Sequence, residues 1–210
     1  GRGDQRLFSL LRGHRMKCLL RRMLDESQFL SEFGIRSMSR ALENDPYVFW
    51  HDGTSMSVRY CPGESATGAF GGNSNWRGPI WFPVNFLIIE SLVRFHEYYG
   101  DDFKIECPTG SKNMITLEDA AKEVANRLIK LFRKDNTGRR PSLGDHHKMQ
   151  EDPNFSEHIL FNEYYEGNTG RGCGASHQTG WTAMVAHLIT QFGSTATKAT
   201  KEDTTSNTTE

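Results

Sequence analysis

Apolar side chains recur at helical spacing in four parts of the chain. Residues 14–24 and 79–99 each place aliphatic or aromatic side chains three and four positions apart, which predicts helices with one buried face. Residues 116–119 have the sequence of a capping box and predict the start of a third helix, which ends before Gly138. Residues 178–191 repeat the helical pattern and predict a last helix.

The stretch between the first two predicted helices has a different pattern. Aromatic and β-branched residues within 48–60 flank Asp52-Gly53, a dipeptide typical of a tight turn, and predict a β-hairpin. The predicted fold class is therefore all-α with a small β-hairpin insertion. Residues 193–210 are rich in serine, threonine, lysine and glutamate and offer little to bury, so they predict a disordered tail.

Composition excludes some partners and leaves others open. The 25 lysines and arginines balance 26 aspartates and glutamates, which argues against a nucleic-acid surface, because neutralising phosphates takes an excess of cations. The four cysteines are widely spaced and include no C-x-x-C, so free thiols are expected, with a bridge between Cys61 and Cys107 left open. No apolar run is long enough to cross a bilayer, so no membrane segment is predicted.

Candidate chemistry is concentrated in residues 161–182. Glu163 stands beside two tyrosines, a glycine-rich loop follows, and Trp181 lies at the start of the last predicted helix. Tyrosine and tryptophan rings combine an apolar face with a hydrogen-bonding edge, which suits the apolar face and hydroxyl rim of a sugar ring. From these residues alone, Glu163 is equally well explained as a surface glutamate in a long loop.

A second candidate segment, residues 71–85, contains Trp76, Arg77, Trp81 and Asn85. Trp81 and Asn85 lie one turn apart at the beginning of a predicted helix, so their side chains are expected on the same side of it. The guanidinium of Arg77 is a rigid fork of donors for sugar hydroxyls or a carboxylate, and a buried ion pair explains it equally well.

Four ordered pieces of the sequence together resemble one enzyme family. The pieces are Gly34-Ile35-Arg36-Ser37, Asn75-Trp76-Arg77-Gly78-Pro79-Ile80-Trp81 with Asn85, Glu163-Tyr164-Tyr165 with Thr169-Gly170, and His177-Gln178-Thr179-Gly180-Trp181-Thr182. This set resembles the C-terminal part of the catalytic domain of glycoside hydrolase family 63, which includes processing α-glucosidase I and its bacterial relatives. The resemblance extends over most of residues 7–192.

The resemblance implies a fold and a mechanism. The family folds as an (α/α)6 toroid of the six-hairpin glycosidase type, so residues 1–192 are expected to be the C-terminal half of such a catalytic domain, a partial toroid. The family's reaction is hydrolysis of α-glucosidic bonds with inversion, for which the resemblance assigns Glu163 as the general base, with Glu166 as its rival. The general acid, an aspartate in the family, is expected upstream of residue 1, so the chain alone is expected to be nearly inert. No metal and no cofactor are implied.

The resemblance also suggests a binding set and a substrate. The candidate substrate-binding residues are Trp76, Arg77, Trp81, Asn85, Tyr165 and Trp181. The implied partner is an oligosaccharide or a small α-glucoside, and the alternative function is a catalytically inactive carbohydrate-binding or structural remnant without the general acid. A soluble cytoplasmic parent is favoured because no anchor is present, and the endoplasmic reticulum applies if the parent is of the glucosidase I type. Sugar and linkage specificity and the oligomeric state stay open.

Overall fold

Six helices account for most of the regular structure in the computed structural model, which describes residues 4, 6–64 and 76–193. In chain order they are α1 (Gly13–Met23), α2 (Phe82–Tyr99), α3 (Leu117–Lys130), α4 (His147–Glu151), α5 (Thr179–Thr182) and α6 (Val185–Phe192). Helix α2 packs along α3, and α6 packs against the same helix α3. The three form the framework of the core.

Short strands connect these helices. Within the described residues they pair as four antiparallel two-stranded sheets: β1 (Leu30–Ser31) with β2 (Gly34–Ile35), β3 (Tyr47–His51) with β4 (Thr54–Val58), β5 (Lys104–Glu106) with β6 (Met114–Thr116), and β7 (Tyr164–Tyr165) with β8 (Gly172–Cys173). The architecture is mixed, with helices and small antiparallel sheets in one chain.

The predicted all-α class and partial (α/α)6 toroid are therefore wrong. Three of the four sheets consist of strands two or three residues long, which is too short for an alternating pattern to appear in the sequence. Those strands are paired by local turns and by packing against helices, so only the three-dimensional arrangement reveals them.

Helix α3 is the best-predicted element. Thr116 accepts a hydrogen bond from the amide of Asp119, and the Asp119 carboxylate accepts one from the amide of Thr116, which completes the predicted capping box. Leu117, Val124 and Leu128 are fully buried along one face, as their spacing predicts.

The last predicted helix divides into two. The predicted helix over residues 178–191 corresponds to α5 and to α6, which ends at Phe192; Ala183 and Met184 separate the two. The Thr182 hydroxyl donates a hydrogen bond of 2.5 Å to the carbonyl of Asn162, which fixes α5 against the loop before β7. This contact between segments far apart in sequence orients α5 independently of α6.

The predicted hairpin is present as β3 and β4. Asp52 and Gly53 have φ values of 47° and 76°, the left-handed conformation that a tight two-residue turn requires. Trp50 pairs with Ser55 and Phe49 pairs with Met56 across the two strands. Most of the ribbon is exposed to solvent.

All four cysteines are free thiols, so the open question of a bridge between Cys61 and Cys107 is answered in the negative. Among the helices of the described residues, none has the length and apolar character needed to cross a membrane. The predicted tail, apart from residue 193, and residues 71–75 of the second candidate segment lie outside the described residues.

Candidate active site

The four sequence motifs converge on one region of the molecule. Ile80 forms antiparallel bridges with both Arg36 and Tyr165, and its amide and carbonyl exchange hydrogen bonds of 2.8 and 3.0 Å with Tyr165. The fourth motif joins through a bridge between His177 and Phe161 and through the amide of Gln178, which donates to the Phe161 carbonyl. The first motif ends at Ser37 and the fourth begins at His177, 140 positions later. Backbone hydrogen bonds and bridges therefore connect segments that are far apart in sequence.

Gly78 allows its segment to pack directly against the backbone of Cys61. Its φ of +152° is rare for residues with a side chain, and a Cβ built at this position would lie 2.3 Å from the carbonyl oxygen of Cys61. The amide of Cys61 in turn donates a hydrogen bond of 2.6 Å to the carbonyl of Arg77. The segment that contains Trp76 is thus held directly against Cys61, in the chain that follows the β3–β4 ribbon.

Two tryptophans and a tyrosine gather around the side chain of Trp81. The Trp76 ring stacks on Trp81 with centroids 4.1 Å apart and an interplanar angle of 8°, and the Trp181 ring lies at 5.5 Å with a tilt of 54°. Tyr164 stacks on Trp81 at 4.9 Å. We call these four rings the aromatic cluster.

The aromatic cluster has a buried base and an exposed rim. Trp81 and Tyr164 are buried, together with Cys173, whereas Trp76 keeps 48% and Trp181 keeps 38% of its surface exposed. Burial, together with the Cys173, Glu64 and Glu163 side chains, raises the pKa of the Tyr164 hydroxyl to about 12, so the hydroxyl stays protonated at neutral pH. The cluster therefore exposes the indole surface of Trp76 and Trp181 and keeps the neutral Tyr164 side chain in its buried base.

Glu163 is positioned by the segment that follows β8. Its amide donates a hydrogen bond of 2.8 Å to the carbonyl of Ala175, and its Oε2 accepts one of 3.1 Å from the Ala175 amide. Gly174 has a φ of +69°, and a Cβ there would lie 2.6 Å from the same Oε2. The side chain is partly exposed, so the carboxylate is held on one side by backbone and is open to solvent elsewhere.

Glu166, the rival carboxylate, has a different environment. Its Oε2 accepts hydrogen bonds from the amide of Asn168 at 3.1 Å, from the amide of Thr169 and from the Thr169 hydroxyl at 2.5 Å. These contacts close the turn between β7 and β8. The Glu166 carboxylate thus stabilises a turn, while Glu163 accepts one backbone hydrogen bond among the contacts of the described residues.

The remaining predicted binding residues lie deeper. Arg77 is buried next to Trp76 in sequence. Asn85 is buried on α2, where Oδ1 accepts a hydrogen bond of 2.7 Å from the Ile35 amide and Nδ2 donates to the carbonyls of Ile35 and Trp81. Tyr165 is fully buried, with edge contacts to two phenylalanine rings of the core. The structure thus places Glu163 next to Tyr164 of the aromatic cluster, and Asn85 and Tyr165 in the interior; the substrate-binding roles stay predictions.

Sequence reasoning did not single out two residues that shape the site, Tyr164 and Tyr60. Neighbouring residues on a strand face opposite sides, so Tyr164 and Tyr165 in β7 face opposite sides, and Tyr164 joins the tryptophans. Strand alternation applied to the tyrosine pair was the available signal. Tyr60 is buried and donates a hydrogen bond of 2.9 Å to Oδ1 of Asn168, and no local pattern indicated this contact across 108 positions.

Comparison with known proteins identifies the class to which this fold and site belong. Residues 6–182 match the family model described as "Mannosylglycerate hydrolase MGH1-like glycoside hydrolase domain". The chain therefore belongs to this family of glycoside hydrolase domains. The relationship to glycoside hydrolase family 63 predicted from the four motifs is confirmed.

Three proteins to which the chain is similar are much longer than the chain. It is 51% identical over 195 residues to "Uncharacterized protein YMR196W" of Saccharomyces cerevisiae, which covers 92% of the chain and 18% of that protein. It is 27% identical to "Probable mannosyl-oligosaccharide glucosidase" of Schizosaccharomyces pombe, over 84% of the chain and 15% of that protein. It is 24% identical to "Mannosyl-oligosaccharide glucosidase" of Saccharomyces cerevisiae, over 81% of the chain and 14% of that protein. The chain spans less than a fifth of the length of each.

Proposed function

We propose that residues 6–182 supply part of the active site of an inverting glycosidase that hydrolyses α-glucosidic bonds in oligosaccharides, with Glu163 as the general base. One observation supports this most: four motifs distant in sequence assemble a partly exposed carboxylate next to Tyr164, whose ring stacks on Trp81 within the cluster of three tryptophans. Two relatives whose names describe mannosyl-oligosaccharide glucosidases support the substrate class.

Inversion requires two carboxyl groups about 6.5–9.5 Å apart, one to protonate the leaving oxygen and one to activate water on the opposite face of the sugar. A general base must be within reach of water, which the partial exposure of Glu163 permits. Backbone contact with Ala175 holds its Oε2 and leaves Oε1 for the water. The resemblance implies an aspartate upstream of residue 1 as the acid, and the proposed mechanism requires that second carboxyl group.

The exposed rim of the aromatic cluster suits the glucose ring. Trp76 and Trp181 offer indole faces on which the apolar face of a sugar stacks, and each is backed by the buried ring of Trp81. The partly exposed Glu163 carboxylate, next to Tyr164, supplies a hydrogen-bonding group. Arg77, Asn85 and Tyr165 complete the proposed set, Asn85 by fixing the turn that carries Trp81.

The test uses a chimaera in which residues 6–182 replace the matching segment of the Saccharomyces cerevisiae relative that is 51% identical. With an oligosaccharide that ends in α-linked glucose, proton NMR is expected to detect β-glucose as the first product, because one displacement by water inverts the anomeric carbon. Initial release of α-glucose contradicts inversion. A chimaera that folds and releases no glucose favours the alternative, an inactive carbohydrate-binding remnant.

Replacing Gly174 by alanine is expected to lower kcat of this chimaera by about 10- to 100-fold while KM changes less, because the new Cβ displaces the base from its working position. Initial-rate measurements over a range of substrate concentration separate the two constants. Gly138→Ala is the matched control, since Gly138 also has a positive φ of +82° but open space around it. If kcat falls equally in both variants, backbone strain at a positive φ explains the loss, and contact with Glu163 does not.

A further inference from the structure

The β3–β4 ribbon has several large apolar side chains that are exposed to solvent. Trp50 is 74% exposed and Tyr47 is 61% exposed, and Val48 and Met56 also face solvent. A lone two-stranded hairpin is marginally stable in water, and a contiguous exposed apolar surface usually marks a binding site. The ribbon therefore has a surface available for a ligand.

The two faces of the ribbon differ in chemistry. Trp50 and Val48 lie on one face, where the residues directly opposite are Ser55 and Ser57. These short side chains leave the indole face uncovered and place hydroxyl groups at its edge. On the other face, Phe49 opposes Met56 and stacks with Tyr47 at 6.1 Å, so the rings of that face contact their own neighbours and are less open to a ligand than the Trp50 ring.

The ribbon is continuous with the candidate active site. Tyr60, two residues beyond β4, donates a hydrogen bond to Asn168 in the turn after β7, and the Pro62 carbonyl accepts one of 2.7 Å from the Gly167 amide. Ser55, the partner of Trp50, lies five residues before Tyr60, about 17 Å along an extended strand. That separation corresponds to an oligosaccharide several sugars long, not to a single sugar.

We propose that the Trp50 face of the ribbon binds the remote sugars of an α-linked glucose oligosaccharide whose terminal residue occupies the aromatic cluster. The choice of glucose rests on the proposed function; the choice of a carbohydrate rests on the ribbon. An open indole edged by two hydroxyls complements the apolar face and hydroxyl rim of a sugar. Neither strand contains a lysine, an arginine, an aspartate or a glutamate, so the ribbon attracts neither nucleic acid nor a charged peptide.

The experiment titrates maltoheptaose into the 210-residue chain and follows the four indole N–H signals by NMR. The Trp50 signal is expected to move with saturation, and Trp50→Ala is expected to raise Kd about fivefold, the loss of one stacking contact. Ser55→Ile is the second variant: it keeps the indole and favours the strand, but it covers the ring face, so Kd should rise as well. Tyr47→Ala, on the other face, is the matched control and should change Kd less than twofold.

Three results overturn the proposal: no binding of maltoheptaose to the wild-type chain, an unchanged Kd in Trp50→Ala, or an equal loss in Trp50→Ala and Tyr47→Ala. Failure of the proposed function is seen separately in the chimaera. If the chimaera does not hydrolyse glucosides while Trp50 still binds maltoheptaose, the ribbon proposal stands. If hydrolysis is normal and Trp50→Ala binds maltoheptaose like the wild type, the ribbon proposal alone is lost.

Discussion

Glu163→Gln is expected to lower kcat of the chimaera by about 10²- to 10⁴-fold, the usual contribution of a general base. Glutamine has nearly the same shape and still accepts the hydrogen bond from the Ala175 amide through its side-chain oxygen. It cannot take a proton from the attacking water at neutral pH. The loss should therefore appear in kcat, measured as glucose released at saturating substrate, with KM changed little.

Glu166→Gln is the matched control for this prediction. The same chemical change is made three residues away, at a carboxylate that the backbone of Asn168 and Thr169 already occupies. This variant should keep kcat within about fivefold of wild type and lose stability instead, since charge-assisted hydrogen bonds to the turn are weakened. If Glu163→Gln is as active as wild type, Glu163 is not the general base. If Glu166→Gln loses more activity than Glu163→Gln, Glu166 is the general base instead.

Helix positions were predictable because their signals are local. The capping box at Thr116 and the apolar spacing from Leu117 onward lie within a few residues of the structure they specify, and helix α3 begins where they indicate. The β3–β4 hairpin was predictable for the same reason, through the turn at Asp52 and Gly53. The residues that specify each of these elements lie within the element or next to it.

The small sheets were not predictable, and the fold class failed with them. Strand β7 is two residues long, and it is stabilised by Ile80, 85 positions before Tyr165. A pair of residues has no period, so no pattern distinguishes such a strand from a loop. Apart from the predicted hairpin, connections without helical spacing were taken as irregular, and three of them contain paired strands.

The sequence named the candidate site residues but did not indicate which of them are buried. The four motifs contain Trp76, Trp81 and Trp181, and their rings contact one another in the structure; their roles and that of Glu163 stay predictions. Which side chains reach the surface depends on packing partners far away in sequence. Trp81 lies at the N-terminus of α2 and Asn85 one turn later, and both are buried because β2 and Tyr164 cover that end of the helix.

Asn85→Leu is expected to lower the free energy of unfolding by about 2–4 kcal/mol. Leucine has a similar volume, so packing is nearly kept, but the amide and carbonyl of Ile35 lose their side-chain partners in the interior. A buried backbone group left without a partner costs about 1–3 kcal/mol. Urea denaturation of the 210-residue chain measures the change as a lower midpoint at constant slope.

Ser91→Ala is the matched control on the same helix. The Ser91 hydroxyl is exposed and donates a hydrogen bond to the Leu87 carbonyl one turn earlier, so its loss should change stability by less than about 0.5 kcal/mol. If Asn85→Leu is equally mild, the amide makes no net contribution and Asn85 is free for another role, such as contact with a sugar. If the loss of stability is large, Asn85 joins the first motif to the second, because it holds Ile35 against the turn that carries Trp81. The position of the aromatic cluster then depends on these hydrogen bonds.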